Sequence, residues 1–203
     1  MQFLSVLVSE SSVEPVSITE QRTFMKIDST DSTAEDSLIG SFITAARKEA
    51  ENLTRRALVS QTRQLILDDF PTSTDAIELP FAPLNTASSS VAITYVEDTT
   101  AGNTTTIAST VYTIDANSEP GRVYPSFNNE WPSGVRDQRN AVTIQYVTGY
   151  STSTIPAGVV AWIRMRVLDL YENRETISSL QRFPLPTPFM KALLDPYTIR
   201  TAI

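Results

Sequence analysis

The sequence of 203 residues contains no cysteine and no histidine, and it has only six glycines. The absence of cysteine excludes disulfide bonds, thiol nucleophiles, zinc ribbons and iron–sulfur clusters. The absence of histidine excludes a Ser-His-Asp triad, an HExxH metal site and an imidazole base. Neither GxGxxG nor GxxxxGK(S/T) occurs, so the familiar glycine-rich phosphate loops are missing as well. We therefore expect no catalytic residues, no cofactor, no bound metal and no enzyme activity.

Carboxylates are the remaining candidates for chemistry. Asp68 and Asp69 are neighbours on a predicted strand, so their side chains point to opposite faces. The acidic residues between 28 and 36 lack the spacing of a calcium loop and are better explained by helix capping. Glu130 next to Trp131 is compatible with a sugar site that has an aromatic platform. The competing interpretation is a loop tryptophan packed onto a β unit.

The charge of the chain is negative and unevenly distributed. The net charge is −7 with a pI near 4.6, which disfavours binding to a phosphate backbone. Residues 57–150 carry four basic and ten acidic groups, whereas residues 151–203 carry six and four. No segment approaches the roughly 20 apolar residues of a membrane helix, so we expect no membrane span. The apolar start, residues 1–8, lacks a basic flank and is predicted to be a strand or arm rather than a signal peptide.

Helical periodicity dominates both ends of the chain. Ser17 with Glu20 and Ser32 with Glu35 form two predicted capping boxes, and the second opens a long amphipathic helix. Between residues 61 and 150 the pattern changes to short alternating segments separated by Pro and Ser/Thr turns, which predicts antiparallel strands. The predicted fold class is α+β. It consists of an α-helical bundle built from N- and C-terminal helices, an inserted small antiparallel β-rich unit and an extended C-terminal arm.

The predicted domain organisation has four parts. These are an N-terminal helical part (1–60), a β-rich insertion (61–150), a helical part that completes the bundle (151–182) and a C-terminal arm (183–203). Four of the 12 prolines lie between Pro184 and Pro196, interleaved with apolar residues. Such a segment is typical of a semi-rigid extended arm, with at most a short helical turn at residues 189–194.

The third predicted helix carries apolar residues on more than one face. The residues outside its main apolar stripe are Trp162, Met165 and Leu168. They are buried either against another subunit or in a crowded subunit core, and the sequence leaves both possibilities open. At the end of this helix lie Tyr171, Arg174 and Glu175, which form either a solvated terminus or the polar rim of a subunit interface.

A colinear set of segments along nearly the whole chain resembles the head–tail connector proteins of tailed bacteriophages and related gene-transfer particles, also called adaptor or head-completion proteins. The segments are Glu14–Glu20, Asp36–Ile39, Ala45–Arg47, Arg56–Thr62, Ile77–Pro80, Pro83–Leu84, Glu119–Arg122, Trp131–Pro132, Asn140–Val142, Gly149–Tyr150, Tyr171–Glu175 and Leu193–Tyr197. The chain departs from the pattern in its hydroxyl-rich turn (residues 99–106) and in a tail that continues past residue 197.

The resemblance implies a structural role in the virion neck, after synthesis in the host cytoplasm. Connectors of this kind form a homo-oligomeric ring, generally of twelve copies, that docks on the portal protein. The ring extends the channel through which double-stranded DNA passes and supports a stopper or tail-terminator protein. The resemblance also implies that the C-terminal segment reaches into the portal, which makes its docking residues Phe183, Leu185, Phe189, Leu193, Leu194, Tyr197 and Arg200. The alternative function is a carbohydrate- or host-surface-binding β module of a virion.

Overall fold

The computed structural model describes residues 4–28, 33–72, 74–85, 90–173 and 187–200. The chain divides into two compact units. The β unit consists of residues 1–11 and 60–149, and the helical unit consists of residues 12–59 and 150–203. The chain therefore crosses three times between the units, after residues 11, 59 and 149. The observed mixture of helices and antiparallel sheets confirms the predicted α+β class.

The β unit contains two antiparallel sheets. Its strands are β1 (Leu4–Glu10), β2 (Gln61–Leu67), β3 (Ile77–Leu79), β4 (Val91–Val96), β5 (Thr104–Thr106), β6 (Tyr112–Asp115), β7 (Gly121–Pro125) and β8 (Val142–Thr148). The five-stranded sheet has the order β1-β2-β8-β4-β5, and the three-stranded sheet has the order β3-β7-β6. Strands β1 and β5 are thus the two edges of the larger sheet.

The two sheets share one hydrophobic core. Residues of β2 alternate strictly between buried and half-buried positions, as expected for a strand with one face against a core. The buried core residues are Leu65, Leu67, Phe70, Ile77, Leu79, Leu84, Val91, Ile93, Ile107, Tyr112, Val123, Trp131, Val142, Ile144 and Tyr146. Because both sheets contribute inward side chains, each sheet also has an outward face.

The helical unit is built from both ends of the sequence. Its helices are α1 (Ile18–Phe24), α2 (Asp36–Thr54), α3 (Ala157–Glu172) and α4 (Thr187–Leu194), with 3-10 turns at Thr33–Glu35 and Asp195–Tyr197. Residues from α2, α3 and α4 share one core. The buried core residues are Val16, Ile39, Ile43, Ala46, Ala50, Leu58, Val159, Trp162, Ile163, Val167 and Leu194.

The two capping boxes have different outcomes. Ser17 caps α1 as predicted, since its hydroxyl accepts from the amide of Glu20 and the Glu20 carboxylate accepts from the amide of Ser17. The second box does not cap α2. A 3-10 turn precedes that helix, and its N-cap is Glu35, without a side-chain capping hydrogen bond. Ser32 lies outside the described residues.

Two segments differ from the predicted division. Residues 4–10, counted with the N-terminal helical part, form strand β1 and pair with β2 of the β unit. Residues 187–197, expected to belong to an extended arm, form helix α4 and a 3-10 turn. The apolar residues between the last prolines thus follow a helical spacing and contribute Leu194 to the helical core.

Candidate assembly surfaces

The apolar residues of α3 are buried to different extents. Trp162 is only 4% exposed and lies in the core of its own helical unit. Met165 and Leu168 are half-buried. Of the two possibilities left open by the sequence, burial in the subunit core therefore holds for Trp162. Met165 and Leu168 retain accessible surface, and their contact with another subunit stays a prediction.

Tyr171 at the end of α3 has a partner within its own unit. Its hydroxyl donates a hydrogen bond to the carboxylate of Glu35. One turn earlier, Arg166 forms ion pairs with Glu49 of α2 at 2.8 Å and with Asp169 at 2.6 Å. The bonds to Glu35 and Glu49 hold α3 against the turn before α2 and against the second half of α2. The predicted interface residues Arg174 and Glu175 lie outside the described residues.

The C-terminal segment packs on the end of α2. The Nε of Arg56 donates to the carbonyl oxygen of Tyr197 at 2.5 Å, and the amide of Ile199 donates to the carbonyl of Thr54 at 3.0 Å. The carbonyl of Thr54 is one of the last in α2, where carbonyls have no partner within the helix. Leu194 is 3% exposed. Residues 194–199 are thus fixed to the helical unit by backbone hydrogen bonds as well as by apolar burial.

The other residues predicted to dock on a portal are distributed between described and undescribed parts of the chain. Phe183 and Leu185 lie outside the described residues, and the backbone of Phe189 belongs to α4. Leu193 is half-buried, whereas Arg200 is exposed. The structure therefore leaves Arg200 accessible to a partner and places Leu194 in the core.

A buried charged network joins the second half of α2 to the segment before α1. Arg47 is 1% exposed and pairs with Glu14 at 2.8 Å and with Glu51 at 3.1 Å. Glu51 also accepts from the amide of Leu58 at 2.8 Å, and Glu14 accepts from the hydroxyl of Thr44. Every charge in this network has an opposite partner, as burial of ionised groups requires. Its role is explained by the architecture of the helical unit.

Trp131 does not provide an aromatic platform. It is 5% exposed, its ring stacks on Phe70 at a centroid distance of 5.1 Å, and its indole N–H donates to the carbonyl of Asp75. The indole ring is buried in the core of the β unit, so it cannot stack on a sugar. The nearby residues Asp68, Asp69, Arg136, Asp137 and Arg139 line an open depression of mixed charge. The interpretation of Trp131 as a packed loop residue is confirmed.

Phe127 is a surface residue that the sequence analysis missed. Its side chain is 92% exposed. It sits in a tight turn in which the amide of Asn129 donates to the carbonyl of Ser126 and Asn128 has a φ of 61°. The signal in the sequence is the turn-forming run Ser-Phe-Asn-Asn, which places an aromatic residue where burial is impossible. Because aromatic residues are enriched in protein–protein interfaces, Phe127 is a candidate contact residue.

The net charge of the protein resides in the β unit. This unit has eleven acidic and four basic residues, a net charge of −7, whereas the helical unit has twelve of each. Some carboxylates are held ionised by local hydrogen bonds. In the β unit, the Ser118 hydroxyl lowers the pKa of Asp115; in the helical unit, the backbone amide of Ser17 lowers the pKa of Glu20. Asp115 thus contributes its negative charge to the β unit at neutral pH.

Within the described part of the chain, no group of three acidic side chains is arranged to hold a metal ion. In the same residues, no helix is both long and apolar enough to cross a membrane. Asp36, one member of the acidic 28–36 segment, instead pairs with Arg22 at 2.6 Å. Asp36 and Glu35 of this segment therefore make contacts within the helical unit.

Three solved structures share this fold. A chain in the neck of an empty GTA particle, computed with C6 symmetry, matches with a TM-score of 0.72 and 22% identity, over 100% of this chain and 98% of that chain. A chain in the virion of the native gene transfer agent (GTA) particle matches with a TM-score of 0.73 and 21% identity, over 98% of this chain and 97% of that chain. A chain in the neck of the native GTA particle, computed with C12 symmetry, matches with a TM-score of 0.66 and 21% identity, over 97% of this chain and 98% of that chain. No curated protein sequence matches the chain.

The fold is thus one found among proteins of gene transfer agent particles. The sequence model of the phage gp6-like head–tail connector proteins matches residues 15–122, which is more than half of the chain. The chain belongs to this family. The resemblance seen in the colinear segments is confirmed, and with it the class of structural connector proteins.

Proposed function

We propose that this protein is a structural component of the virion neck that forms a ring between the portal and the tail. The family match over residues 15–122 is the observation that carries the proposal. The similarity in fold to neck chains, over nearly the full length of both partners, supports it. In this proposal the protein catalyses no reaction, and its function is to join two larger assemblies.

The proposed ring contains twelve copies. The similar neck structures were computed with C6 and C12 symmetry, and a ring of twelve chains is compatible with both. A closed ring requires two different surfaces on each copy, because each interface is heterologous. Met165 and Leu168 on α3 and the exposed Phe127 are apolar surfaces on the two units that suit such contacts.

The charge distribution suits a conduit for double-stranded DNA. The β unit carries the whole net charge of −7. An acidic wall repels phosphates and so avoids the tight binding that clustered Lys and Arg produce. In the proposed ring the DNA passes without specific contacts to bases or backbone.

The C-terminal segment is the proposed portal-docking element. Its last described residue, Arg200, is exposed, and so is Lys191 on α4. The segment between α3 and α4 adds Phe183 and Leu185, and all these residues lie near one another in sequence. Because residues 194–199 are fixed to the helical unit, docking would use the exposed side chains of an ordered segment rather than a free arm. The stopper or tail-terminator protein would then bind elsewhere on the ring.

Cryo-electron microscopy of the neck of particles that contain this chain tests the proposal. We expect density for a ring of this fold directly below the portal, with one helical unit and one β unit per copy. Location of the chain at any other position in the particle would reject the proposal. A portal pull-down with Arg200→Glu and Lys191→Glu, compared with Arg139→Glu in the β unit, tests the docking element separately.

A further inference from the structure

The outward face of the five-stranded sheet carries no charged residue among the described positions. Strand register identifies this face, because residues directly opposite each other in a ladder point to the same side. The outward residues are Val6, Thr62, Gln64, Ile66, Ala92, Thr94, Val96, Thr104, Thr106, Thr143, Gln145 and Val147. At its centre, the Gln64 amide nitrogen donates to the Gln145 side-chain oxygen at 3.2 Å. We call this surface the neutral face.

The neutral face contrasts with the rest of the same unit. The outward side of the three-stranded sheet bears Glu78, Arg122 and Asp115 within a smaller area. This acidic unit, of net charge −7, therefore keeps its charges in loops, on the other sheet and on the core side of the larger sheet, where Arg63 lies and where Glu10 ends β1 opposite Gln61.

The edge of the neutral face is also largely apolar. Among the described strands, β1 is at the end of the order β1-β2-β8-β4-β5, so it is an edge strand of the sheet. Val6, Leu7 and Val8 on this edge are all exposed. Natural proteins usually protect a free edge with charges or proline. Residues 4–9 of β1 contain neither, so its protection is limited to Glu10 at its end and to a register shift between Leu7 and Ser9.

The chemistry of this surface indicates what covers it. Copies of one acidic chain repel each other wherever charged surfaces meet, so their closest contacts are favoured at surfaces without charge. A charged partner surface would instead lose its hydration against the neutral face without gaining an opposite charge. We propose that the neutral face and the β1 edge of each copy are covered by the neighbouring copy of this chain in the ring. This inference rests on the proposed function, which supplies the ring.

A photo-crosslinking amino acid at position 145, in particles assembled with the variant chain, tests the contact directly. The matched control position is Glu78, an exposed outward residue on the three-stranded sheet. We expect a crosslinked product with the mass of two copies from position 145 and little from position 78. Crosslinks from position 145 to a different virion protein, or no product from a chain that is present in the neck, would overturn the inference. Absence of the chain from the neck would instead reject the proposed function.

A charge substitution provides the second test. Gln145→Glu is nearly isosteric and keeps an oxygen that accepts from Gln64, so the fold of the β unit should be unchanged by circular dichroism. In the ring it adds one carboxylate without an opposite charge to every interface. We expect at least a tenfold loss of necks that contain the chain, whereas Ala76→Glu, at an exposed position before β3, should assemble normally. Equal assembly by both variants would overturn the inference.

Discussion

The Nε of Arg56 donates a hydrogen bond to the carbonyl oxygen of Tyr197, a residue 141 positions later in the sequence. A second guanidinium nitrogen of Arg56 donates to the hydroxyl of Tyr150 at 3.2 Å. One buried side chain therefore joins the end of α2, the start of the second helical part and the C-terminal segment. This relationship makes the C-terminal segment part of the helical unit.

Replacement of Arg56 by alanine should destabilise the helical unit. We expect the free energy of unfolding to fall by about 2 kcal/mol, because a charged donor to a buried carbonyl is lost. Urea unfolding monitored by the fluorescence of Trp162, in a Trp131→Phe background, reports this unit. Arg200→Ala, at an exposed position, is the control and should change stability by less than about 0.5 kcal/mol.

Leu194 and its neighbour Leu193 form a matched pair that measures how much the C-terminal segment contributes. Leu194→Ala should cost about 2–5 kcal/mol, since Leu194 is fully enclosed by the helical core. Leu193→Ala should cost less, because Leu193 is half-buried. Thermal unfolding of both variants checks the order. Equal and small effects would show that the segment separates easily from the unit.

Trp162 and Met165 on α3 should have different effects on stability and assembly. Trp162→Ala is expected to cost about 3–5 kcal/mol of unfolding free energy, because it leaves a large cavity in the helical core. Met165→Ala should change stability less and reduce incorporation into necks more. Unfolding of the free chain and counting of neck-containing particles measure the two effects. If Trp162→Ala left the free energy of unfolding nearly unchanged but reduced the number of neck-containing particles, Trp162 would not act through the helical core.

The capping box of α1 predicts a pH effect. Hydrogen bonds from Ser17 lower the folded-state pKa of Glu20 below its ordinary value of 4.5. The stability from the ionised carboxylate is therefore present above pH 4.5 and lost as pH falls through the lowered folded-state pKa. Ser17→Ala removes the hydroxyl, so the Glu20 pKa should rise in an NMR titration and stability should fall by about 1 kcal/mol. Ser37→Ala, in the first turn of α2, should leave both quantities unchanged.

Phe127 should matter in the assembled particle and not in the free chain. Phe127→Ser removes an apolar side chain that is almost entirely in water, so the unfolding temperature should not fall. We expect fewer particles with complete necks, measured by negative-stain microscopy, because an exposed aromatic anchor is lost. Asn129→Ser in the same turn serves as the control. Normal assembly of Phe127→Ser would remove this side chain from the set of contact residues.

The sequence predicted the elements with strong local signals. Ser17 with Glu20 identified the start of α1, and the alternation from Gln61 identified β2. Long-range packing explains its failure at the second capping box. The place of Glu35 depends on Tyr171, more than 130 positions away, and no local pattern encodes that bond. At α4 the misleading signal was composition. The prolines on either side of this segment predicted an extended arm, although the spacing of Phe189, Met190, Leu193 and Leu194 is helical.

The functional surfaces were less predictable than the elements. Strand periodicity alone identifies which residues of β2 share a face, but the neutral face appears only when the register with β8 and β4 is known. Burial of Trp131 likewise depends on its stacking with Phe70 from a separate segment. The family, by contrast, was recognisable because it is encoded by many short segments in order, which do not require knowledge of contacts.

The triple crossing of the chain between the two units has a consequence for how the protein can be divided. Neither unit is a continuous piece of sequence, since the β unit begins with residues 1–11 and resumes at residue 60. A single proteolytic cut at one crossing leaves the units joined through the other two. A truncated gene product that stops near residue 149 contains every β-unit strand but lacks α3 and α4. To obtain the β unit alone, residue 11 has to be spliced to residue 60 by a short linker, and the remaining half needs its own splice from residue 59 to residue 150.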